Sequence, residues 1–224
     1  MRKLLLCCFI ISIVGCAKEI NSNPANAIRN GAQNNAVVVD TYLPLTKGTI
    51  WNYTNETNSK VKKSKLTVTR SKRTINGKNY TAIKSVTKGV PDTIYYNHTG
   101  HDYYLYTKQG SSDADAVNLE ILFLKDDAAA GTTWSQPAGS GNGVSLSCSG
   151  KIMETGISLT VSGVTYTDVI HTYIEVKTTG FFSIVVYKQD YYVAKNIGVI
   201  KNLSTQVVPS GPTTTTELAS YTIQ

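Results

Sequence analysis

The sequence predicts an all-β protein: a curved antiparallel sheet, a sandwich or a half-barrel, assembled from two duplicated halves. Three observations carry this prediction. From Tyr42 onward threonine, valine, isoleucine and tyrosine (14 copies of the last) dominate and no helical period is sustained, a composition suited to pleated, half-buried surfaces. Apolar and polar residues alternate in several runs. Glycine-centred turn signals separate those runs at short intervals, as in sandwiches and barrels.

The chain opens with "MRKLLLCCFIISIVGCAKE". Arg2 and Lys3 make a positive end, and Leu4 to Val14 is an apolar run long enough for a signal-peptide core and too short to span a bilayer. The "IVGC" that follows resembles a bacterial lipobox, in which a small residue admits the scissile bond to the peptidase and the cysteine thiol takes the diacylglyceryl group. Residues 1–15 are therefore expected to be a signal peptide, and Cys16 the lipidated first residue of the mature protein. Its acyl chains anchor firmly, since each buried methylene contributes about 0.8 kcal/mol. Cleavage removes Arg2 and Lys3 from a chain of formal net charge +7, leaving about +5. Cys7 and Cys8 leave as well, so Cys148 has no partner for an internal disulfide.

Residues 16–40 are rich in Asn, Ala and Ser and read as a flexible tether, with a reach on the order of 25 Å. Lys18-Glu19 resembles the charged export signal of surface lipoproteins in Bacteroidota. The expected address is the bacterial cell envelope, lipid-anchored in the outer membrane at its periplasmic face or at the cell surface. That address removes nucleic acid as a partner.

Residues 41–224 form the β-rich domain, ample for a sizeable core. In "KLTVTR", Leu66 and Val68 take one face and Lys65, Thr67 and Thr69 the other. In "GVSLSCSG", Val144, Leu146 and Cys148 point inward, which makes Cys148 a small core residue. In "DVIHTYIEVK", Ile170, Thr172, Ile174 and Val176 share a face. Asn76-Gly77 and Ser162-Gly163 mark tight hairpins, "GSGNG" at 139–143 another turn, and "PSGPTTTT" a longer connection before a last strand at 217–223. About ten to twelve strands result. "FFSIVVY", Phe181 to Tyr187, is apolar on both faces and is expected in the middle of the sheet.

The two tryptophans stand in one frame, "GTIW" at 48–51 and "GTTW" at 131–134. "GKNYTAI" is matched by "GVTYTDVI", and "DYYLY" by "DYYVA", in the same order and at nearly the same offset. These three matches predict duplicated halves, 42–125 and 126–208, with both tryptophans buried at equivalent places.

"LPLTKGTIWNY" and "YYVAKNIGVIK" carry a resemblance. The chain resembles a set of uncharacterised envelope lipoproteins, mostly of Bacteroidota, with an opening Pro-Leu-x-x-Gly-x-x-Trp-x-Tyr motif. A Tyr-x-Ala-x-x-x-Gly-x-Ile-Lys motif follows near the C-terminus, and "GVTYTDVI" is similar to a segment between the two. That family has no established activity, so the resemblance implies a fold and a location and no catalytic residue.

No Gly-x-Ser-x-Gly frame, phosphate loop or dinucleotide frame occurs. His98, His101 and Asp102 lie in one turn, yet no further histidine or cysteine nearby completes a zinc site. Asp126-Asp127 are adjacent, and on an extended chain they face apart, a poor acid–base pair. No metal, cofactor or enzymatic activity is expected, a hydrolase being the least favoured reading. Tyr95, Tyr96, Tyr103, Tyr104 and Tyr106 crowd one hairpin and are the candidate ligand-binding residues, Tyr104 and Tyr106 sharing a face suited to sugar rings or a lipid tail. Lys60, Lys62, Lys63, Lys65, Arg70, Lys72 and Arg73 form an unbroken basic stretch. They either protect a sheet edge or touch anionic glycolipid. The functional expectation is a binding module for a hydrophobic or glycan ligand, or else a structural partner of an envelope protein complex.

Overall fold

The computed structural model describes residues 40–109, 117–141, 143–180 and 182–224. The leader, Cys16, the tether up to residue 39 and Phe181 lie outside them. The strands are β1 (Ile50–Thr57), β2 (Lys60–Ile75), β3 (Lys78–Thr87), β4 (Val90–Thr99), β5 (Asp102–Gln109), β6 (Val117–Lys125), β7 (Thr133–Gly141), β8 (Val144–Val161), β9 (Val164–Thr179), β10 (Val185–Ala194), β11 (Gly198–Gln206) and β12 (Thr213–Thr222). They form one antiparallel sheet in the order β6-β5-β4-β3-β2-β1-β12-β11-β10-β9-β8-β7. Two meanders, β1–β6 and β7–β12, are thus joined through β1 and β12, and the sheet curls until β6 and β7 approach each other. The result is a nearly closed barrel.

Side chains bridge the seam between those two edges. The Trp134 indole Nε1 donates to the Leu122 carbonyl at 3.1 Å, and Thr172 Oγ1 donates to the Phe123 carbonyl at 2.7 Å. A Cβ on Gly139 would lie 2.0 Å from the Asn118 carbonyl oxygen. The Leu122 and Phe123 carbonyls thus find donors, and contact covers the strand edge that would otherwise be open.

The interior is filled. Trp51, Ile83, Tyr103, Phe123, Cys148, Ile174, Ile200 and Leu218 belong to one buried cluster. One end of the barrel is covered by the N-terminal segment: Asn196 N donates to the Thr41 carbonyl, Tyr42 N donates to the Tyr103 hydroxyl, and Leu43 is buried. Toward the other end the inner face of β1 turns polar, where Thr216 Oγ1 donates to Asn55 Oδ1 and Asn55 Nδ2 to Ser64 Oγ.

The hairpins at Asn76-Gly77 and Ser162-Gly163 form as expected, all four residues with φ between 49° and 80°. The last strand starts earlier than expected, at Thr213. "FFSIVVY" departs from expectation in its first part. Phe182 and Ile184 lie in the β9–β10 connection, and Phe182 is 79% exposed. Gly180 (φ 148°) ends β9, and Ile184 N donates to Thr178 Oγ1, closing a turn before β10 begins at Val185. Phe182 to Ile184 therefore belong to a loop, while Val185 to Tyr187 open β10 between β9 and β11, with Val186 buried.

β2 is one strand of 16 residues with a register shift between Val68 and Lys72. It pairs with β1 along Lys60–Thr67 and with β3 along Ser64–Val68 and Lys72–Ile75, so it is an interior strand of the sheet, Lys65 being paired on both sides and Lys60, Lys62 and Lys63 extending past β3. The two "GTxW" frames adopt one local geometry. Gly48 and Gly131 both have φ 90°. Gly48 N donates to the Val68 carbonyl and Val68 N to that of Thr49; Gly131 N donates to the Ile152 carbonyl and Ile152 N to that of Thr132. Trp51 is 1% exposed, whereas Trp134, on the edge strand β7, is only partly buried. "DYYLY" lies on β5 and "DYYVA" on β10, the fifth strand of the first meander and the fourth of the second, so that match joins places that do not correspond.

Candidate functional site

Strand alternation divides the five candidate tyrosines. Tyr96 and Tyr103 point inward, 8% and 0% exposed. Burial pushes both phenols up to about 12, Tyr103 also through its hydrogen bond to Asp126. Tyr95, Tyr104 and Tyr106 point outward and join Tyr80, Ile75, Leu122 and Trp134 in a second cluster. The register sets one row across four strands, Ala82 beside Tyr95, Tyr95 beside Tyr106, and Tyr106 beside Glu120. The Tyr106 ring stands 6.1 Å from that of Tyr95 and 6.0 Å from that of Tyr80. Tyr95 and Tyr106 are partly exposed. The Arg73 guanidinium lies 5.8 Å from the Tyr95 ring centre, and Lys78 Nζ lies 4.4 Å from that of Tyr104, both cation–π contacts.

Glu120 anchors this face and was not singled out in the sequence. The residue is 7% exposed, and its carboxylate accepts from Lys78 Nζ and Asn76 Nδ2, both at 2.8 Å, and from the Tyr80 hydroxyl. Burial alone would raise its pKa, but the donors from Lys78, Tyr80 and Asn76 outweigh it and hold the carboxyl below its ordinary value. The only sequence signal was an acid inside the apolar run "NLEILFL". Its partners lie 40 to 44 residues away in the chain.

A groove of about 580 Å³ opens beside the tyrosines, with Ala82 and Tyr95 among its lining residues and Thr69, Lys84, Asp92 and Thr93 around them. A second, about 590 Å³, lies on β7 and β8 along Gln136, Pro137 and Ser147. Of the basic stretch, Lys60, Lys63, Lys65, Arg70, Lys72 and Arg73 are exposed, and Lys62 is half-buried beside Asn55.

The histidines are engaged locally. His98 stacks on Tyr103, ring centres 4.2 Å apart. His101 Nδ1 lies 2.7 Å from Asp126 Oδ1, an exposed pair whose hydrogen bond raises the imidazole pKa. Asp102 takes Lys125 instead, at 2.5 Å. His101, Asp126 and Asp127 present ligand atoms within 4.8 Å of one another, though Asp126 already accepts from Tyr103. His171 bridges Asp190 at 2.8 Å and Glu154 at 3.4 Å. Cys148 is fully buried, and burial pushes its thiol up to about 12, as befits a core residue. Cys16 lies outside the described residues.

No protein-family model matches the chain, and no curated protein does. Among solved structures, the chain is similar to a protein of Parabacteroides distasonis described as a lipoprotein, at 11% identity and a TM-score of 0.50, over 82% of this chain and 99% of that one. It also aligns with an exported protein of YmcC-like fold from Bacteroides fragilis, at 9% identity and a TM-score of 0.49, with the same shares covered. At these identities the first likeness establishes a shared fold.

Proposed function

We propose that this chain is a lipid-anchored, non-enzymatic protein of the bacterial outer membrane whose β domain is a binding module for a glycan. The observation that carries the reading is the outer face of β3–β6. Two partly exposed tyrosines, Tyr95 and Tyr106, stand side by side there on a base fixed by Glu120. Aromatic faces flanked by hydroxyls and charges suit sugar rings. Of the two ligand classes the sequence admits, a hydrophobic one would need an apolar cavity, and the barrel interior is packed with side chains. The lipid anchor rests on the leader and Cys16, and the lipoprotein description of the Parabacteroides protein accords with it. A non-enzymatic role is supported by the engagement of Glu120, Asp126 and His171 in local pairs.

Lys60, Lys62, Lys63 and Lys65 supply charge for a contact with anionic glycolipid. The shared geometry of the two "GTxW" corners supports an origin of the two meanders by duplication. A second reading, a structural partner in an envelope complex, is favoured by the exposed Val61, Val90, Phe182, Ile184 and Val208. All five lie at the barrel end opposite the N-terminal segment. Native mass spectrometry of the protein from its own cells distinguishes the two. A retained saccharide supports the binding module, and a retained protein subunit with no saccharide supports the structural partner.

A further inference from the structure

Arg73 of the basic stretch on β2 and Tyr95 on β4, separate features of the sequence, meet on one outer face. We propose that the groove between them is the binding site and that its ligand is an anionic saccharide. This rests on the glycan-binding reading above and adds the location and the charge of the ligand.

The groove follows from local backbone geometry. The register of β2 against β3 shifts between Val68 and Lys72, and Thr69, at that shift, donates its hydroxyl proton to the Ala82 carbonyl at 2.7 Å. Ala82, with the smallest side chain of the row, leaves a depression beside the Tyr95 ring. Lys84 and Thr93, paired across β3 and β4, line it further along. Tyr95 thus offers a partly exposed ring as one wall, against which a sugar ring can stack. The depression, about 580 Å³, is open to solvent.

The charge sets the class of sugar. No acidic residue occurs between Lys60 and Lys84. The Arg73 guanidinium sits 5.8 Å from the Tyr95 ring centre, and exposed Lys84 lies on the groove wall. The nearest acid on the groove, Asp92, accepts from Thr93 N at 2.7 Å. Carboxylates carried on successive sugar rings would meet Arg73 and Lys84 while one ring stacks on Tyr95. With Arg73 beside Tyr95, two cations face the single carboxylate of Asp92 here, a balance that favours an anionic ligand.

The test measures binding of the full chain in detergent to three polymers of matched length: polygalacturonate, neutral dextran and polyglutamate. Polygalacturonate is expected to bind about tenfold or more tightly than either of the others, with an affinity that falls as salt rises. Arg73→Gln/Lys84→Gln, two exposed changes that leave the core intact, should weaken that binding about tenfold. Tyr95→Leu, which keeps the bulk and removes the aromatic face, should weaken it too, and Lys151→Gln on β8 should not. Equal binding of dextran and polygalacturonate would overturn the anionic preference and leave the glycan-binding reading standing. Equal binding of polyglutamate would reduce the site to charge alone and overturn the proposal. Undiminished binding in both groove variants would move the ligand elsewhere and overturn the location. No saccharide binding at all would overturn the proposal and the functional reading together.

Discussion

Tyr80 and Glu120, 40 residues apart in the chain, meet on the outer face of the sheet, the phenol donating to a carboxylate that Lys78 and Asn76 also hold. Because these donors keep the carboxyl below its ordinary pKa, the ionised form stabilises the fold. That contribution is present in full above the ordinary glutamate value of about 4.3 and is lost as pH falls through the lower folded value. Glu120→Gln should cost about 1.5–3 kcal/mol at neutral pH, the scale of hydrogen bonds to a charged group. Urea unfolding from pH 7 down to pH 3 checks this: the wild type should lose stability with acid more steeply than the variant. Parallel profiles would remove Glu120 from the account.

Each tryptophan lies against a glycine. A Cβ on Gly150 would stand 2.2 Å from the Trp134 ring, and one on Gly198 would stand 3.2 Å from Trp51 Nε1. Gly150→Ala should therefore push Trp134 out of the seam, costing about 1–3 kcal/mol by overpacking. Trp51→Ala should cost about 3–5 kcal/mol, and Trp134→Ala less, since Trp134 is only partly buried. Denaturant midpoints of the three variants give the ranking, and tryptophan emission of Gly150→Ala should shift to the red as its indole meets water.

These tryptophans also mark where the sequence was legible. Alternation placed Cys148, Ile170 and Ile174 in the core, and the φ > 0 demands of Asn76-Gly77 and Ser162-Gly163 fixed two hairpins, because both signals act over a few residues. The β1–β12 pairing and the β6–β7 seam join residues far apart in the chain, and no local pattern encodes them. For the same reason an edge was one of two readings of a basic strand that lies inside the sheet, and Glu120 passed unnoticed. Phe182 misled because a loop at the barrel end and a doubly covered strand share an apolar composition.

Cys148 should be chemically silent in the native protein. Its thiol is buried and shifted up to about 12, so almost no thiolate exists at neutral pH. Ellman's reagent applied to the mature chain should find no thiol until denaturant is added, and then one. Rapid labelling in native buffer would contradict the packed interior.

Cys16→Ala should leave the precursor uncleaved by the lipoprotein peptidase and abolish detergent-phase partitioning. Metabolic labelling with a radioactive fatty acid reads both the anchor and its loss. Continued labelling of the variant would place the lipid elsewhere.

The claim that the outer face of β3–β5 is the functional surface is tested most directly by hydrogen-exchange mass spectrometry of the full chain with and without saturating polygalacturonate. Slowed exchange is expected in peptides spanning 67–74 and 80–108, with β7 to β12 unchanged. Slowed exchange confined to the β7–β8 groove at Gln136 and Ser147, or to the apolar barrel end around Phe182, would contradict it.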